Sequence, residues 1–376
     1  MAAVKQRLES LDALRGFDLF CLVALEGIMY PLGDAIHQPW YDSFMWCFTH
    51  KTWEGFSSWD LVMPLFMFMS GVSMPYSFAK YKDMPNKYPV YRRIGKRIIL
   101  LWIFGMMCQG NLLGLDPQKI YLFSNTLQAI AVGYLFTALL YLNVRRSIQI
   151  GVAIVLLLIY WAAMQFISFD GFGGGNYTAD GNLAEGIDRY VLGRFRDQAT
   201  VVNGVIDYGI TYRYTWILSS LTFVVTVLTG LFAGQILKSQ AEGKRKLQLL
   251  FGIGAAMVVV GWTWGLALPV IKHIWTSSMV LVSSGYCFLL MGLFYYWIDY
   301  KGHNKNITWL KVYGMNSITA YVIAEVIDFK SIGESLFHGT EAYIGNFYPF
   351  LLAVTNALII YLILWILYKR NIFLRV

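Results

Sequence analysis

The stretch of the chain that decides its fold is residues 148–168, which read IQIGVAIVLLLIYWAAMQFIS and hold no charged side chain. About 20 predominantly apolar residues are enough for one α-helix to cross the hydrocarbon core of a bilayer. This stretch therefore predicts a membrane-spanning helix.

The rest of the chain has the same character. Of its 376 residues, 57% are hydrophobic and 14% are charged, and the mean hydropathy is +0.52. Soluble domains carry roughly 25% charged residues. The length would allow about two or three soluble domains, but the apolar content favours one polytopic membrane bundle. We expect no cleavable signal peptide, because the first apolar run holds Asp12, Arg15 and Asp18.

Ten apolar stretches are predicted to span the membrane as a single all-α transmembrane helix bundle covering residues 1–376. They are residues 13–33, 59–79, 94–113, 124–142, 148–168, 214–237, 248–270, 275–298, 308–328 and 348–368.

The loops between these stretches alternate in charge. Lysine and arginine cluster at both termini and in loops 80–93, 143–147, 238–247 and 299–307, whereas most of the other loops hold isolated charges. Cytoplasmic loops carry the excess of Lys and Arg, so both termini are predicted to be cytoplasmic. Because the net charge of +8 is spread over these short loops, we do not expect a nucleic-acid partner.

The loop at 169–213 is predicted to be the one long extracytoplasmic segment. It contains a glycine run at 173–175, and we interpret this run as a flexible loop because no strand-to-helix pattern surrounds it. Its charged and aromatic side chains suit either a polar substrate such as a sugar or an inert solvated loop. They are Asp180, Glu185, Asp188, Arg189, Tyr190, Arg194, Asp207 and Tyr208. Further on, Gly230 and Gly234 form a small-xxx-small pattern that predicts close helix packing.

The stretch Thr49–Phe56 (THKTWEGF), with Asp60 after it, carries the strongest chemical signal. An ionisable pair at a membrane boundary is a functional-site candidate, and histidine suits proton transfer near neutral pH. On one continuous helix, His50 and Asp60 would lie roughly 80° apart. We therefore expect His50 on a loop that folds back over the bundle, with His50 and Asp60 as the catalytic residues.

Other polar residues collect at the predicted outer ends of the spans. With Trp53 from the loop, they are the candidate substrate-binding residues: Glu26, Trp53, Asn125, Gln128, Lys272, His273 and Glu325. An ordinary interfacial polar residue is the alternative interpretation for each.

At this point the chain resembles a known family. The motifs are Ser10–Phe17 (SLDALRGF), Thr49–Gly55 (THKTWEG), Asp60–Gly71 (DLVMPLFMFMSG), Thr126–Ala131 (TLQAIA), Lys272–Ser278 (KHIWTSS) and Gly314–Ile318 (GMNSI), followed by Tyr321 and Glu325. In this order and spacing they are similar to the heparan-α-glucosaminide N-acetyltransferase family of transmembrane acyltransferases. The resemblance runs from about residue 7 to residue 330.

The resemblance implies transfer of an acetyl group from cytosolic acetyl-CoA, as co-substrate and without a metal, to the amine of a terminal glucosamine across the membrane. It implies that His50 is the active histidine and Asp60 its neighbouring aspartate. Glu26 departs from the pattern, since an asparagine is expected in the first span. The absence of a large N-terminal lumenal domain implies a bacterial inner-membrane protein, in contact with membrane lipid and with a homodimer as one option.

Physical reasoning supports the same arrangement. The phosphates of acetyl-CoA prevent it from crossing lipid, so the nucleotide should bind at the cytoplasmic face. Candidate binding residues are Arg15, Arg92, Arg93, Arg97 and Asn316. For the oxyanion of the tetrahedral intermediate, Asn125, Gln128 and Lys272 are candidate donors.

Two other functions remain open from the sequence. A proton-coupled amino-sugar transporter would also use intramembrane acids, and a scaffold protein is the third interpretation. The acceptor, the identity of the acyl group, and the choice between a ternary complex and an acetyl-histidine intermediate also remain open.

Overall fold

The computed structural model describes residues 8–109, 112, 116, 120–209 and 214–374. Helices make up most of these residues, and the strands form only two short hairpins. The prediction of an all-α polytopic membrane protein is confirmed. Both chain ends, residues 1–7 and 375–376, lie outside the described residues, as does the end of the predicted span 94–113.

The helices follow one another as seventeen α-helical segments in the described chain. They are α1 (Glu9–Phe20), α2 (Glu26–Ile36), α3 (Pro39–Met45), α4 (Val62–Val72), α5 (Met74–Lys82), α6 (Tyr88–Cys108), α7 (Thr126–Asn143), α8 (Arg146–Phe166), α9 (Leu183–Leu192), α10 (Ser220–Lys238), α11 (Gly243–Gly265), α12 (Ser277–Phe294), α13 (Thr308–Met315), α14 (Ser317–Val326), α15 (Lys330–Phe337), α16 (Glu341–Ile344) and α17 (Tyr348–Lys369). The strands are β1 (Ser168–Phe169), β2 (Phe172–Gly173), β3 (Thr200–Val202) and β4 (Val205–Asp207).

The chain forms two compact units. Unit 1 holds the described residues of Met1–His50, Ser57–Val62 and Leu290–Arg375. Unit 2 holds Lys51–Phe56 and the described residues of Met63–Leu289. His50 and Asp60 therefore belong to unit 1, whereas the short loop that follows His50 in the sequence belongs to unit 2.

Eight helical stretches of the described chain are long and apolar enough to cross a membrane, and each overlaps a predicted span. They are Glu9–Ile36, Ser58–Lys82, Thr126–Asn143, Arg146–Phe166, Ser220–Lys238, Gly243–Gly265, Ser277–Tyr300 and Glu341–Lys369. The predicted span 94–113 overlaps α6, a helix of 21 residues whose first half is rich in Lys and Arg. The total of ten spans remains a prediction.

The predicted span 308–328 is not one continuous helix. It is broken into α13 and α14 at Asn316, whose backbone lies at φ −117° and ψ 37°. The Asn316 side chain donates to the carbonyl of Ile372 at 3.2 Å and accepts from the N–H of Leu374 at 3.4 Å. The amide thus ties the break to the C-terminal tail, within unit 1.

The first membrane stretch contains a π-helical segment, Cys21–Leu25, between α1 and α2. π-Helical segments are rare and occur frequently at functional sites. Asp18, one turn before this segment, is 2% exposed, and Glu26 follows it directly. In unit 1, the acids Asp18 and Glu26 therefore flank the π-helical segment, one on either side.

Glycines allow the helices to approach closely. A Cβ atom added at Gly230 of α10 would lie 1.9 Å from the carbonyl oxygen of Phe68, and one at Gly71 would lie 2.1 Å from that of Val227. At Gly234 it would lie 2.4 Å from the carbonyl oxygen of Val72. These contacts confirm the close packing predicted from the glycine pattern.

Residues 168–209, here called the hairpin segment, are regularly folded, and the expectation of a flexible glycine loop is wrong. β1 pairs with β2, and β3 pairs with β4, each in antiparallel register. Gly173 and Gly174 have φ values of 93° and 64°, and their N–H groups donate to the carbonyls of Gly181 and Ile167, both at 2.8 Å. This left-handed backbone is accessible to glycine without strain, which explains the glycine run.

Two buried acids of the hairpin segment accept hydrogen bonds from protein groups within the segment or just after it. Glu185 is fully buried and accepts from Arg189 at 2.7 Å and from the buried Arg196 at 2.5 Å. Asp188 is also buried, and its two oxygens accept from the N–H groups of Trp216 and Ile217 at 2.7 and 2.9 Å. Glu185 and Asp188 therefore stabilise the fold.

Candidate active site

His50 and Asp60 form a hydrogen-bonded pair in unit 1. The Nδ1 atom of His50 lies 2.8 Å from Oδ1 of Asp60. His50 lies outside the helices, as the rotation argument predicted, and Asp60 lies in a short 3-10 helix, Ser58–Leu61, that leads into α4. The imidazole is 37% exposed, whereas the carboxyl group is 1% exposed.

The geometry of this pair assigns a role to each ring nitrogen. A carboxylate at 2.8 Å from Nδ1 favours the tautomer that carries the proton on Nδ1. The lone pair of the neutral ring is then on Nε2, which is the atom that can accept a proton from a substrate. A buried carboxylate also stabilises the imidazolium that results.

Ser57 completes the surroundings of the carboxyl group. Its backbone N–H donates to Oδ2 of Asp60 at 3.0 Å, and its hydroxyl oxygen lies 3.0 Å from the same atom. The hydroxyl also lies 2.7 Å from the carbonyl oxygen of Thr49. Ser57 and Asp60 form a capping box at the start of the 3-10 helix. The sequence reasoning missed Ser57, although Ser-x-x-Asp before an apolar run is the usual signature of such a box.

The loop Lys51–Phe56 is fixed within unit 2. Glu54 forms an antiparallel bridge with Ile271, and the N–H of Gly55 donates to the carbonyl of Val270 at 2.8 Å. Gly55 has a φ of 110°, which favours glycine at this position. These backbone bonds attach the loop to the segment that carries Lys272 and His273.

The ring of His273 contacts two aromatic rings, those of Trp53 and Tyr214. His273 is 3% exposed; its ring stacks on Trp53 at a centroid distance of 5.3 Å and contacts the tilted ring of Tyr214 at 4.9 Å. The indole N–H of Trp53 donates to the carbonyl of Tyr177 at 2.9 Å. The ammonium of Lys272 lies 6.0 Å from the centre of the Tyr214 ring. Three of the predicted substrate-binding residues thus come together in unit 2.

The turn that carries Lys272 and His273 is held by many hydrogen bonds. Trp275 has a left-handed backbone, with φ 50°, and its buried indole donates to the hydroxyl of Thr226 at 3.0 Å. The carbonyl of Ile274 accepts from the hydroxyl groups of Tyr160 and Ser219. A left-handed non-glycine residue persists only where its surroundings hold it, which indicates a rigid turn.

The chain is similar in sequence to known acetyltransferases. It is 26% identical over 377 residues to the human heparan-α-glucosaminide N-acetyltransferase, a match that covers 87% of this chain and 54% of the relative. The mouse protein of the same name is 25% identical over 334 residues, covering 75% of this chain and 50% of the relative. The resemblance predicted from the motifs is confirmed.

The chain spans about half the length of these curated relatives. A model of a family described as a domain of unknown function (DUF5009) matches residues 7–193, which include both His50 and Asp60.

Two of the polar residues predicted for the site, Asn125 and Gln128, have local structural roles at the start of α7. Asn125 caps α7, with its side-chain oxygen accepting from Leu127 at 2.9 Å. Gln128 is fully buried; its oxygen accepts from the N–H groups of Ser124 and Asn125, and its nitrogen donates to the carbonyl of Leu122. These bonds form a capping box, so Gln128 supports the helix start. The Asn-x-x-Gln spacing carried that signal in the sequence.

The acids Glu26 and Glu325 both belong to unit 1. Glu26 is half-buried at the start of α2, and Glu325 is exposed near the end of α14. Their assignment as substrate-binding residues remains a prediction.

The five predicted cofactor-binding residues divide between the units. Arg92 and Arg93 are exposed on α6, and the guanidinium of Arg97 lies 4.2 Å from the centre of the Tyr134 ring, all in unit 2. Arg15 and Asn316 are in unit 1. Asn316 is 1% exposed and bonded to the C-terminal tail, as described above.

Unit 1 also has a cleft lined by Glu9, Asp12, Lys311, Lys369 and Asn371, among others.

Within the described residues, no group of three or more His, Cys, Asp or Glu side chains could hold a metal ion. The carboxylate of Asp60 can orient the ring of His50, which leaves the imidazole suited to accept a proton.

Proposed function

We propose that this protein is a transmembrane acetyltransferase that transfers an acetyl group from cytosolic acetyl-CoA to an amino sugar or glycan on the opposite side of the membrane. The observation that carries the proposal is the 2.8 Å bond between His50 and the buried Asp60 in a membrane protein similar to named N-acetyltransferases. A terminal glucosamine amine is the acceptor suggested by the names of those relatives.

In the proposed reaction, Nε2 of His50 removes a proton from the attacking amine as the amine nitrogen bonds to the thioester carbonyl. The tetrahedral intermediate then expels the thiolate of CoA, which receives the proton from the imidazolium. The products are an N-acetyl amide and CoA, and His50 returns to its neutral form. General-base catalysis of this kind contributes about 10²–10⁴-fold.

Asp60 acts on His50 and not on the substrate. Its carboxylate holds the Nδ1–H and stabilises the imidazolium that forms in the transition state. Because Asp60 is 1% exposed, water does not compete for this bond, and the electrostatic interaction is stronger than it would be in bulk solvent.

Lys272 is proposed as a donor to the oxyanion, the preferred one of the three candidate donors named from the sequence. Gln128 has both polar side-chain atoms bonded to backbone groups, and Asn125 caps α7. Lys272 is 5% exposed and lies beside the aromatic stack, in surroundings that strengthen its attraction for an anion.

We propose that acetyl-CoA and acceptor react in a ternary complex. His50 is 37% exposed, and an acetyl-imidazole there would hydrolyse readily. Incubation of the enzyme with labelled acetyl-CoA alone should leave His50 unlabelled. Stoichiometric label on His50, with release of CoA before acceptor is added, would establish the covalent route instead.

The proposed setting is a bacterial inner membrane with cytoplasmic termini. In that orientation Arg92, Arg93 and Arg97 on α6, with Arg15 and Asn316, are proposed to contact the phosphates of CoA from the cytoplasmic face. A homodimer is compatible with this arrangement.

A second candidate function is proton-coupled transport of an amino sugar. Asp18 favours it, because this acid is 2% exposed inside a membrane stretch and its Oδ2 has no hydrogen-bond partner among the described residues. Intramembrane acids of this kind are common in proton relays. Uptake of labelled glucosamine into vesicles without acetyl-CoA would support transport, whereas uptake no faster than in empty vesicles would exclude it.

The acetyltransferase proposal is tested with purified protein, acetyl-CoA and glucosamine, by measuring the N-acetylated product. His50→Ala should abolish product formation while CoA binding survives. His338→Ala, which changes an exposed histidine in α15's C-terminal flank, is the matched control and should retain activity. Near-normal turnover by His50→Ala would show that the general base is wrongly assigned.

A further inference from the structure

The hydroxyl of Ser57 lies between two oxygen acceptors. Its oxygen is 2.7 Å from the carbonyl oxygen of Thr49 and 3.0 Å from Oδ2 of Asp60. A serine hydroxyl has one hydrogen, so it can donate fully to one of these oxygens at a time. Ser57 is 3% exposed, so water does not substitute for either bond.

The two acceptors differ in charge. The carbonyl of Thr49 is neutral, whereas the carboxylate of Asp60 carries a full charge, and hydrogen bonds to charged groups are stronger. The backbone N–H of Ser57 already donates to Oδ2 at 3.0 Å. When the hydroxyl donates to Oδ2, that oxygen receives two donors from one residue, while Oδ1 faces the imidazole at 2.8 Å.

We propose that Ser57 acts together with His50 and Asp60 as a third functional residue, and that its hydroxyl positions the carboxylate of Asp60. This inference rests on the proposed acetyltransferase function. Two donors on Oδ2 fix the plane of the carboxylate, so Oδ1 points at Nδ1 of His50. They also stabilise the ionised form of Asp60, so the proton shared between Asp60 and His50 stays on the imidazole.

Variants at position 57 can test the hydroxyl of Ser57 separately from its backbone N–H. Ser57→Ala keeps the N–H bond to Asp60 and removes only the hydroxyl, so the capping of the 3-10 helix is partly retained. Ser57→Thr restores a hydroxyl at the same position. Ser57→Cys has a side chain of similar shape but provides only a weak donor. It replaces Ser57→Ala as the test of the hydroxyl if the alanine variant does not fold.

Ser58 offers a matched control. Its hydroxyl donates to the carbonyl of Cys47 at 2.6 Å, so it also links the 3-10 helix to the preceding segment, but that bond does not reach Asp60. Ser58→Ala therefore removes a comparable bond from the same short helix and leaves the surroundings of the carboxylate unchanged.

The experiment measures kcat and the KM for acetyl-CoA in Ser57→Ala, Ser57→Thr, Ser57→Cys and Ser58→Ala, with folding checked by size-exclusion chromatography. We expect kcat to fall roughly 10- to 100-fold in Ser57→Ala, the equivalent of one hydrogen bond to a charged group, with KM unchanged. Ser57→Thr should recover most of the rate, Ser57→Cys should be intermediate, and Ser58→Ala should resemble the wild type.

A double variant tests whether the hydroxyl acts through Asp60. If it does, adding Ser57→Ala to Asp60→Asn should cause little further loss, because the charge that the hydroxyl acts upon is already gone. Normal kcat in Ser57→Ala, an equal loss in Ser58→Ala, or losses that multiply in the double variant would each overturn the inference. If His50→Ala retains full activity, the proposed acetyltransferase mechanism itself fails, which is a distinguishable outcome.

Discussion

The Nδ1 atom of His50 lies 2.8 Å from the buried Oδ1 of Asp60, although ten residues separate the two along the chain. The intervening chain leaves unit 1 after His50 and re-enters it at Ser57. The hydroxyl oxygen of Ser57 lies 2.7 Å from the carbonyl oxygen of Thr49, so the two ends of this excursion lie close together beside the pair of His50 and Asp60. The pair therefore depends on loop closure and not on a helical repeat.

The first prediction concerns the charge of Asp60. Asp60→Asn preserves the shape and retains an oxygen that can accept from the N–H of Ser57, but it removes the charge that stabilises the imidazolium. We expect kcat to fall roughly 10³–10⁴-fold, as for other His–carboxylate pairs, with an unchanged elution profile in size-exclusion chromatography. Full activity in the folded variant would refute the orienting role.

The second prediction concerns the ring stack in unit 2. Trp53→Leu removes the ring that stacks on His273 at 5.3 Å, whereas Trp53→Phe keeps an aromatic ring and loses the bond to Tyr177. If this stack binds the acceptor, the KM for glucosamine should rise in both variants, and more in Trp53→Leu. Steady-state kinetics at saturating acetyl-CoA would show it; unchanged KM values would remove Trp53 from the acceptor site.

The third prediction concerns helix packing in unit 2. In Gly230→Ala, the new methyl group would meet the backbone of Phe68 at 1.9 Å, and backbone cannot move aside without separating the helices. We expect destabilisation of about 1–3 kcal/mol, the usual range for overpacking. Gly252→Ala on α11, where an added Cβ would meet no atom within 4 Å beyond its chain neighbours and its own helix backbone, is the control. The melting temperatures of Gly230→Ala and Gly252→Ala in detergent test this prediction. Equal melting temperatures would contradict the close packing at Gly230.

The fourth prediction concerns the hairpin segment and pH. Burial raises the pKa of Asp197 to about 7, against an ordinary value of 3.8, and the neighbouring Arg196 only partly opposes this shift. The folded state therefore binds this proton more tightly than the unfolded state. Its stabilising effect is present at acidic pH and is lost as the pH rises from about 4 to about 7.

The measurement is the melting temperature of wild type and Asp197→Asn at pH 5 and at pH 7.5. Wild type should lose more stability than the variant on going from pH 5 to pH 7.5, because the variant cannot ionise at this position. The same pH dependence in both proteins would show that Asp197 does not contribute.

The sequence alone was sufficient for the membrane class, the all-α fold, the pairing of His50 with Asp60 and the glycine packing of α10. These features follow from local composition or from motifs of fixed spacing. It was insufficient for the break at Asn316, because that break is held by the C-terminal tail some 56 residues away. The hairpin segment was missed for the same reason, since its glycines are fixed by backbone partners that a sequence pattern does not show.

The capping roles of Gln128 and Ser57 were not predicted, although both residues belong to capping boxes with recognisable spacing. The assignment of Gln128 to the substrate site stays a prediction. At the ends of membrane helices, the same polar residues can serve a cap or a substrate. The buried hydrogen-bond partners of each side chain distinguish the two roles.

The most direct test of the account is acetyl transfer across a sealed membrane. Proteoliposomes hold labelled acetyl-CoA on one side of the bilayer and glucosamine on the other, and labelled N-acetylglucosamine is measured with time. Wild-type protein should form the product on the acceptor side, Asp60→Asn should form it far more slowly, and His50→Ala should form none. Absence of labelled product with folded wild-type protein, or equal formation by His50→Ala, would contradict the account.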